Sequence, residues 1–540
     1  MKRAKTTEGG NMDGRAVSRR GLGYIFKAAL EATPGKVAIY QGDVAMTYRQ
    51  LDERANRVAN ALRDAGIVRG DRIALLFDNH YRYIESSLGI MRSGAVAVPI
   101  NPRLGNDAIA YIIEHSDAKM LFCSPNETLR GIGLAAPVGA VHLVVGYRAD
   151  GDEPLPDGVV EFDAWLATTS AEPPDASIDV FGDAFQPYTS GSTGRPKGCV
   201  LNHDGQIWNT KVHVDFLGYT AADRSIAAAP LSHKNAMTGA VKPMLYVGGS
   251  VVILPRFDPE AYIAAIDRFK VTYTTGVPAM YNMIFARPEL FERYDVSSVR
   301  IATVGSSSVA PELLRLLQRY FPQAHVSEIY GSTEGGPVTL IQPLDDTPGL
   351  GAVAETEIRI VRDDETDCSD EEVGELIVRN RGVLREYYKN PEVSAKRIRE
   401  GWYYTSDLAK RAASGRYFIM GRTDDMIITA AENVYPIEVE DLLRRYPDVL
   451  DACVVPIPHA VKGQVPVAFV VLRRGAREDE QVLKAFALEH GPAFAHPRRV
   501  FFLEQIPLSG PGKVDRKKLC ELAEAMVAEG GPANIPSLER

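Results

Sequence analysis

Residues 188–198, YTSGSTGRPKG, gather the groups that bind an anion. Thr189, Ser190, Ser192 and Thr193 bring hydroxyl donors, Gly191 and Gly194 let main-chain N–H groups come close, and Lys197 adds a point charge. Such a loop can hold phosphate, although the same composition also makes an ordinary turn. It is not a Walker A loop, because G-x-x-x-x-G-K-[ST] occurs nowhere in the chain. Further on, Tyr330-Gly331-Ser332-Thr333-Glu334 sets a hydroxyl beside a carboxylate, and Asp407 ends the aromatic run that begins at Trp402. Lys513 follows Ser509-Gly510-Pro511-Gly512, a stretch too rich in Gly and Pro for a packed helix. Taken singly, Glu334 reads as a helix-start acid, Asp407 as a cap or turn residue, and Lys513 as a solvent-facing cation. The lone His233 reads as a satisfied structural histidine.

These groups need a frame, and the chain supplies alternating helical and strand signals. Residues 48–66 place Leu51, Ala55, Val58, Ala59 and Leu62 on one helical face, with Thr47 as N-cap and Gly66 as stop. A short apolar strand at 72–77 leads into a helix through Ile90 and a strand at 95–100; further strands are expected at 251–254, 271–274 and 300–304. That rhythm predicts an α/β fold with largely parallel sheets. A polar break, Gly421-Arg422-Thr423-Asp424-Asp425, then precedes a compact set of elements. It comprises a helix opened by Pro436, strands at 452–456 and 465–472, and helices near 480–490 and 515–528. The expected layout is a poorly ordered tail at 1–20, a large N-terminal domain at 21–421, a small α+β domain at 422–528 and a tail at 529–540.

Composition narrows the functional classes. The chain has 540 residues and a net charge of −9, with 45% apolar and 24% charged residues, which is ordinary for a globular protein. Mild acidity argues against wrapping nucleic acid but not against a small anionic ligand held locally. The five cysteines are widely scattered and no C-x-x-C or H-E-x-x-H occurs, which disfavours zinc sites and disulfides. No apolar run is long enough to span a membrane. Residues 1–20 lack the apolar region of a secretory signal, and the C-terminus lacks S-K-L, so the cytoplasm is expected. The oligomeric state stays open, a homodimer included.

The 188–198 loop resembles the signature of the adenylate-forming superfamily, which includes acyl-CoA synthetases, firefly luciferases and amino-acid adenylation domains. Further motifs of that family follow in order: residues 330–334, 374–379 (GELIVR), 402–407 (WYYTSD), 421–425 (GRTDD) and 507–513 (PLSGPGK). The likeness runs from about residue 22 to about residue 525. It implies a large AMP-binding domain and a small mobile domain carrying the catalytic lysine. The activity implied is that of an ATP-dependent acyl-CoA ligase using Mg²⁺, with CoA as co-substrate and a small carboxylic acid as substrate. The 188–198 loop, with Thr189, Ser190, Gly191, Ser192, Thr193, Gly194 and Lys197, would hold the β- and γ-phosphates. Tyr330 would lie against adenine, with Gly331 and Ser332 beside it; Thr333 would contact the α-phosphate and Glu334 would bind Mg²⁺. Asp407 would accept from the ribose hydroxyls with Arg422 near the same sugar. Lys513 would neutralise charge building at the α-phosphate, and Asp424 would be the hinge. His233 falls where a gating residue is common, and Gly305, Ser306 and Gly331 would line the acid pocket.

Three departures bear on this likeness. Ala430-Ala431 stands where many acyl-CoA synthetases carry Gly-Gly, which touches the thiol half of the reaction rather than adenylation. Gly305-Ser306-Ser307-Ser308 replaces a G-G-A-type strand end with hydroxyls. No acid occurs at 230–238, where amino-acid adenylation domains place one for the substrate amine, so an α-amino acid is disfavoured. The readings weighed against the main one are adenylation with delivery to a carrier protein or an amine, and a non-catalytic nucleotide-binding protein. Pocket residues are expected around 208–213, 233–239, 276–281, 305–309 and 330–338.

Overall fold

The computed structural model describes residues 21–147, 154–175, 177–189, 195–307, 309–343, 345, 347–429, 432–459, 461–477, 479–508 and 514–529. The expectations for Ser190, Gly191, Ser192, Thr193, Gly194, Ser308, Ala430, Ala431 and Lys513, and for the two tails apart from residue 529, lie outside the described residues.

Two large sheets form the N-terminal part. In the first, His325–Tyr330, Ile301–Gly305, Tyr273–Gly276, Arg224–Ala227, Ser250–Ile253 and Val37–Gln41 run parallel in that spatial order. Antiparallel strands finish both edges. In the second, Asp183–Phe185, Val96–Ile100, Arg72–Leu76, Ala118–Cys123, Leu143–Gly146 and Val159–Glu161 are parallel neighbours. Val96–Ile100 is buried at every position, as a strand covered on both faces must be. The helix Tyr48–Asp64 starts on a full capping box, in which the Thr47 side chain accepts from the Gln50 N–H and the Gln50 side chain accepts from the Thr47 N–H. It buries the five predicted apolar positions and packs on the helix Tyr81–Ser93. That packing is close because Gly89 has no side chain: a Cβ there would lie 2.4 Å from the Val58 Cβ.

A third sheet, Glu357–Val361, Gly374–Arg379, Trp402–Arg411, Ile398–Arg399 and Tyr417–Arg422, is antiparallel throughout. The expectation of largely parallel sheets therefore holds for the first two only. Tight turns at Gly401 and Gly415, both with φ of 81°, join its neighbouring strands with no crossover helix between them. The small C-terminal part has its own sheet of Glu432–Val434, Ile427–Thr429, Gly463–Leu472, Val449–His459 and Val500–Phe502, antiparallel except for the last. Its helices are Pro436–Arg444, Glu480–His490 and Arg516–Glu529. Two apolar clusters drawn only from residues beyond 426 pack on the faces of this sheet. The turn Thr423–Asp425 joins the third sheet to the fourth, at the polar break seen in the sequence. No helix of the described residues is long and apolar enough to cross a membrane.

Candidate active site

Parallel strands deliver their carboxyl ends to one place, where open α/β sheets bind ligands. Tyr273–Gly276, Ile301–Gly305 and His325–Tyr330 end side by side, with Gly305 in register with Ile329. Only glycine fits at 305, since a Cβ would lie 2.1 Å from the Ile329 carbonyl oxygen. Ser306 follows with φ of 70° and turns the chain away from the sheet. Beyond these ends lies a small cavity. Its wall includes Thr275, Thr303, Gly305, Ser306, Gly331 and Val338, joined by His213, Lys234 and Asn235 from neighbouring helical segments.

The turn after Tyr330 forms one side of this cavity and binds two further groups. Ser332 Oγ accepts from the Gly335 N–H at 2.8 Å, and the Lys234 ammonium donates to the Gly331 carbonyl. Thr189 Oγ1 donates to Glu334 Oε1 at 2.9 Å, which brings the start of the hydroxyl-rich loop to the carboxylate. Lys197 pairs with Thr189 across an antiparallel ladder, so both ends of that loop are fixed by strands, and its ammonium lies 6.0 Å from the centre of the Tyr387 ring. Among the described residues no group of three His, Cys, Asp or Glu side chains could hold a metal alone. One carboxylate, Glu334, fits a Mg²⁺ ion that arrives on a nucleotide, because Mg²⁺ keeps waters and takes phosphate oxygens for its other positions.

Tyr330 donates its hydroxyl to Asp407 Oδ2 at 2.5 Å, and Arg422 Nε stands 3.7 Å from Asp407 Oδ1. Burial, and then the Asp407 charge, push the Tyr330 phenol well above its ordinary range, so it stays a donor. Asp407 is aimed by an irregular strand: the register shifts on both sides of it, and Ser406 has φ of 60°. The Ser406 N–H donates to Glu375 Oε1 at 2.8 Å and the Asp407 N–H to Thr405 Oγ1 at 2.9 Å, which holds that kink.

The predicted residues thus fall into three connected groups: Thr189 with Glu334, Tyr330 with Asp407 and Arg422, and Gly305, Ser306 and Gly331 on the cavity. Thr333 lies in the same turn. His233 accepts from the Asn235 N–H on Nδ1 at 3.3 Å, and it is the next two residues that line the cavity. Asp424 is exposed in the turn Thr423–Asp425. The strand-end lining residues Thr275 and Thr303 fall just outside the segments marked in the sequence, and Lys234, Asn235 and His213 fall inside them unrecognised. Their signal is position: the last residues of parallel strands face the ligand. His213 gives no such signal, since its helix is buried on nearly every side.

The chain as a whole is similar to known proteins. A family model described as "AMP-binding enzyme" matches residues 26–388, and one described as "AMP-binding enzyme C-terminal domain" matches residues 438–513. A feruloyl-CoA synthase of an Amycolatopsis species is 33% identical over 503 residues, 92% of this chain and 97% of that protein. An indoleacetate–CoA ligase of Aromatoleum aromaticum is 31% identical over 495 residues, 91% of this chain and 95% of that protein. The crystal structure of an anthranilate CoA ligase in complex with anthranoyl-AMP superposes with a TM-score of 0.89 at 26% identity, covering 96% of this chain and all of that one.

Proposed function

Since the chain belongs to the AMP-binding enzyme family and is an ATP-dependent acid–CoA ligase, we propose that its substrate is an aromatic carboxylic acid and that its residues divide the work as follows. The acid lies in the cavity at the strand ends, its carboxylate toward the Tyr330–Glu334 turn. That carboxylate attacks the α-phosphate of ATP and pyrophosphate leaves. The bond formed is carboxyl oxygen to phosphorus and the bond broken joins the α- and β-phosphates. Thr189, Lys197 and the loop between them bind the departing phosphates, and Thr333 donates to the α-phosphate. Glu334 holds Mg²⁺, which offsets phosphate charge. Asp407 accepts from the ribose hydroxyls, and the Tyr330 ring bounds the base. Lys513 enters to neutralise the charge that grows between the carboxylate and the phosphate; its worth lies in transition-state electrostatics. The small domain then turns about Asp424 and the CoA thiol displaces AMP from the acyl carbon.

The observation that carries this reading is that one five-residue turn serves three purposes. Tyr330 meets Asp407, Gly331 borders the cavity and Glu334 meets Thr189. A nucleotide and an acid held on the two sides of this turn would touch at one point. The aromatic acid rests on the names of the relatives, which act on ferulate, indoleacetate and anthranilate. Ala430-Ala431 favours a second reading, delivery to an amine or a carrier protein. We place the protein in the cytoplasm, as a monomer or a homodimer. Pyrophosphate release with benzoate, phenylacetate, indoleacetate, cinnamate, acetate and octanoate, followed by chromatography of the thioesters, tests the reading. An aromatic thioester as best product supports it. Octanoyl-CoA or acetyl-CoA as best product contradicts the aromatic assignment, and pyrophosphate without thioester favours the amine or carrier acceptor.

A further inference from the structure

One helix outside the strand ladder of the hydroxyl-rich loop receives side chains from both limbs of that loop. It is the helix Asn106–His115. From the limb that enters the loop, the Tyr188 hydroxyl lies 2.9 Å from His115 Nδ1. From the limb that leaves it, the Arg195 guanidinium lies 5.4 Å from the centre of the Tyr111 ring. Tyr111 and His115 stand four residues apart, on one face of the helix, with ring centres 5.0 Å apart. The two contacts therefore share a single platform. The ladder itself ends at the Thr189–Lys197 pair, and Arg195 stands beyond it.

The first contact has a definite direction. Gln186 is fully buried, and its Oε1 accepts from Arg72 Nε at 3.3 Å, which turns its amide N–H toward the Tyr188 oxygen, also at 3.3 Å. The phenol proton is then left for His115 Nδ1. Burial lifts the Tyr188 phenol above its ordinary range, so that proton stays in place. Burial, with the Lys389 charge adding to it and Asp117 opposing it, lowers the His115 imidazole, so the ring is neutral near pH 7 and can accept. Both partners are held in turn. Gly198 faces Tyr188 across the ladder, and a Cβ there would lie 2.9 Å from Tyr188 Cζ. His115 meets the edge of the Tyr388 ring, whose hydroxyl donates to Asp117 Oδ2 at 2.8 Å.

Resting on the reading that this loop binds the β- and γ-phosphates, we propose that His115 and Tyr111 are positioning residues for ATP. They hold the two limbs of the loop at the separation at which it meets the phosphates, and they act through Tyr188 and Arg195 rather than on the nucleotide. A loop whose limbs are fixed beforehand loses less conformational freedom when its ligand arrives, so the support appears as affinity for ATP and for the pyrophosphate that departs.

The test follows acyl-CoA formation, with whichever acid of the panel reacts best, at varied ATP, at varied acid and with added pyrophosphate. Tyr188→Phe and His115→Ala are each expected to raise the KM for ATP and the inhibition constant of pyrophosphate together, by about three- to tenfold. The KM for the acid is expected to stay within about twofold of the parent enzyme. Combined, the two substitutions are expected to cost no more than either alone, because they break one contact. His115→Gln, which keeps an acceptor, is expected to restore most of the loss. Tyr111→Leu is expected to raise both constants about two- to fivefold, and Tyr111→Phe, which keeps the ring, to restore them. Tyr188→Phe removes a single oxygen and keeps the test open should His115→Ala fail to fold. Lys197→Ala reads the loop itself. If it changes neither constant, the phosphate-loop reading falls, and this one with it. If it raises both while Tyr188→Phe, His115→Ala and Tyr111→Leu raise neither, the positioning role alone is overturned. Losses spread evenly over the KM for ATP, the KM for the acid and the melting temperature would make the cluster merely structural and would overturn the role as well.

Discussion

Asp407 is engaged twice over, by the Tyr330 hydroxyl at 2.5 Å and by Arg422 at 3.7 Å. A carboxylate so held is aimed before ligand arrives, so that the proposed acceptance of the ribose hydroxyls would need no reorientation. Asp407→Ala is expected to raise the KM for ATP by roughly 10- to 100-fold and to leave the KM for the acid nearly unchanged, as initial rates at varied ATP will show. The role proposed for Lys513 lies at a different point. Lys513→Ala is expected to slow acyl-adenylate formation by at least about a hundredfold while sparing thioester formation from a supplied acyl-adenylate, measured as separate half-reactions. Pyrophosphate release at the normal rate would remove Lys513 from its role. Both residues stand in motifs that the sequence displays openly. His213 does not, because a buried histidine on a helix covered on nearly every side has no pattern to betray it.

Elements explain which parts of the fold can be read and which cannot. The helix Tyr48–Asp64 is legible to within a residue or two, since its cap is coded by Thr47 and Gln50 and its face by period. The parallel strands are legible as short apolar runs between helices. The third sheet is harder: its strands and the loop residues beside them carry exposed ion pairs such as Arg379–Glu357 and Arg362–Glu372, which blur the apolar pattern. One buried carboxyl has a consequence for pH. Burial, with the like charge of Asp441 on the helix Pro436–Arg444 adding to it, lifts the carboxyl of Glu328, on the strand His325–Tyr330, from 4.5 to about 7. The folded protein therefore keeps a proton that the unfolded chain releases between these values, and stability falls as pH rises through that window. Glu328→Gln is expected to flatten this part of the profile of unfolding free energy against pH, by about 3 kcal/mol across it. An unchanged profile would show that Glu328 does not titrate in this window. The turn Thr423–Asp425 is the other element with a testable role. Asp424→Pro is expected to slow thioester formation at least about tenfold more than adenylation, and equal losses would count against a hinge there.

At the scale of the molecule, a chain of net charge −9 acts on ATP and CoA, both polyanions. Net charge is a poor guide here because, in the proposed reading, Lys197 and a hydroxyl-rich loop meet the anion locally on an acidic protein. The whole also explains why sequence motifs so far apart work together: Thr189 and Glu334 meet across the join between the two large sheets, and Tyr330 and Asp407 across the join between the first and third. Each pair closes only when separate sheets dock, so no local stretch of sequence shows the site as a unit. The most direct measurement is the nucleotide product. With an aromatic acid and Mg·ATP, mass spectrometry is expected to find acyl-adenylate on the enzyme without CoA, and AMP and acyl-CoA in equal amounts with it. Formation of ADP and phosphate in place of AMP and pyrophosphate would contradict the account.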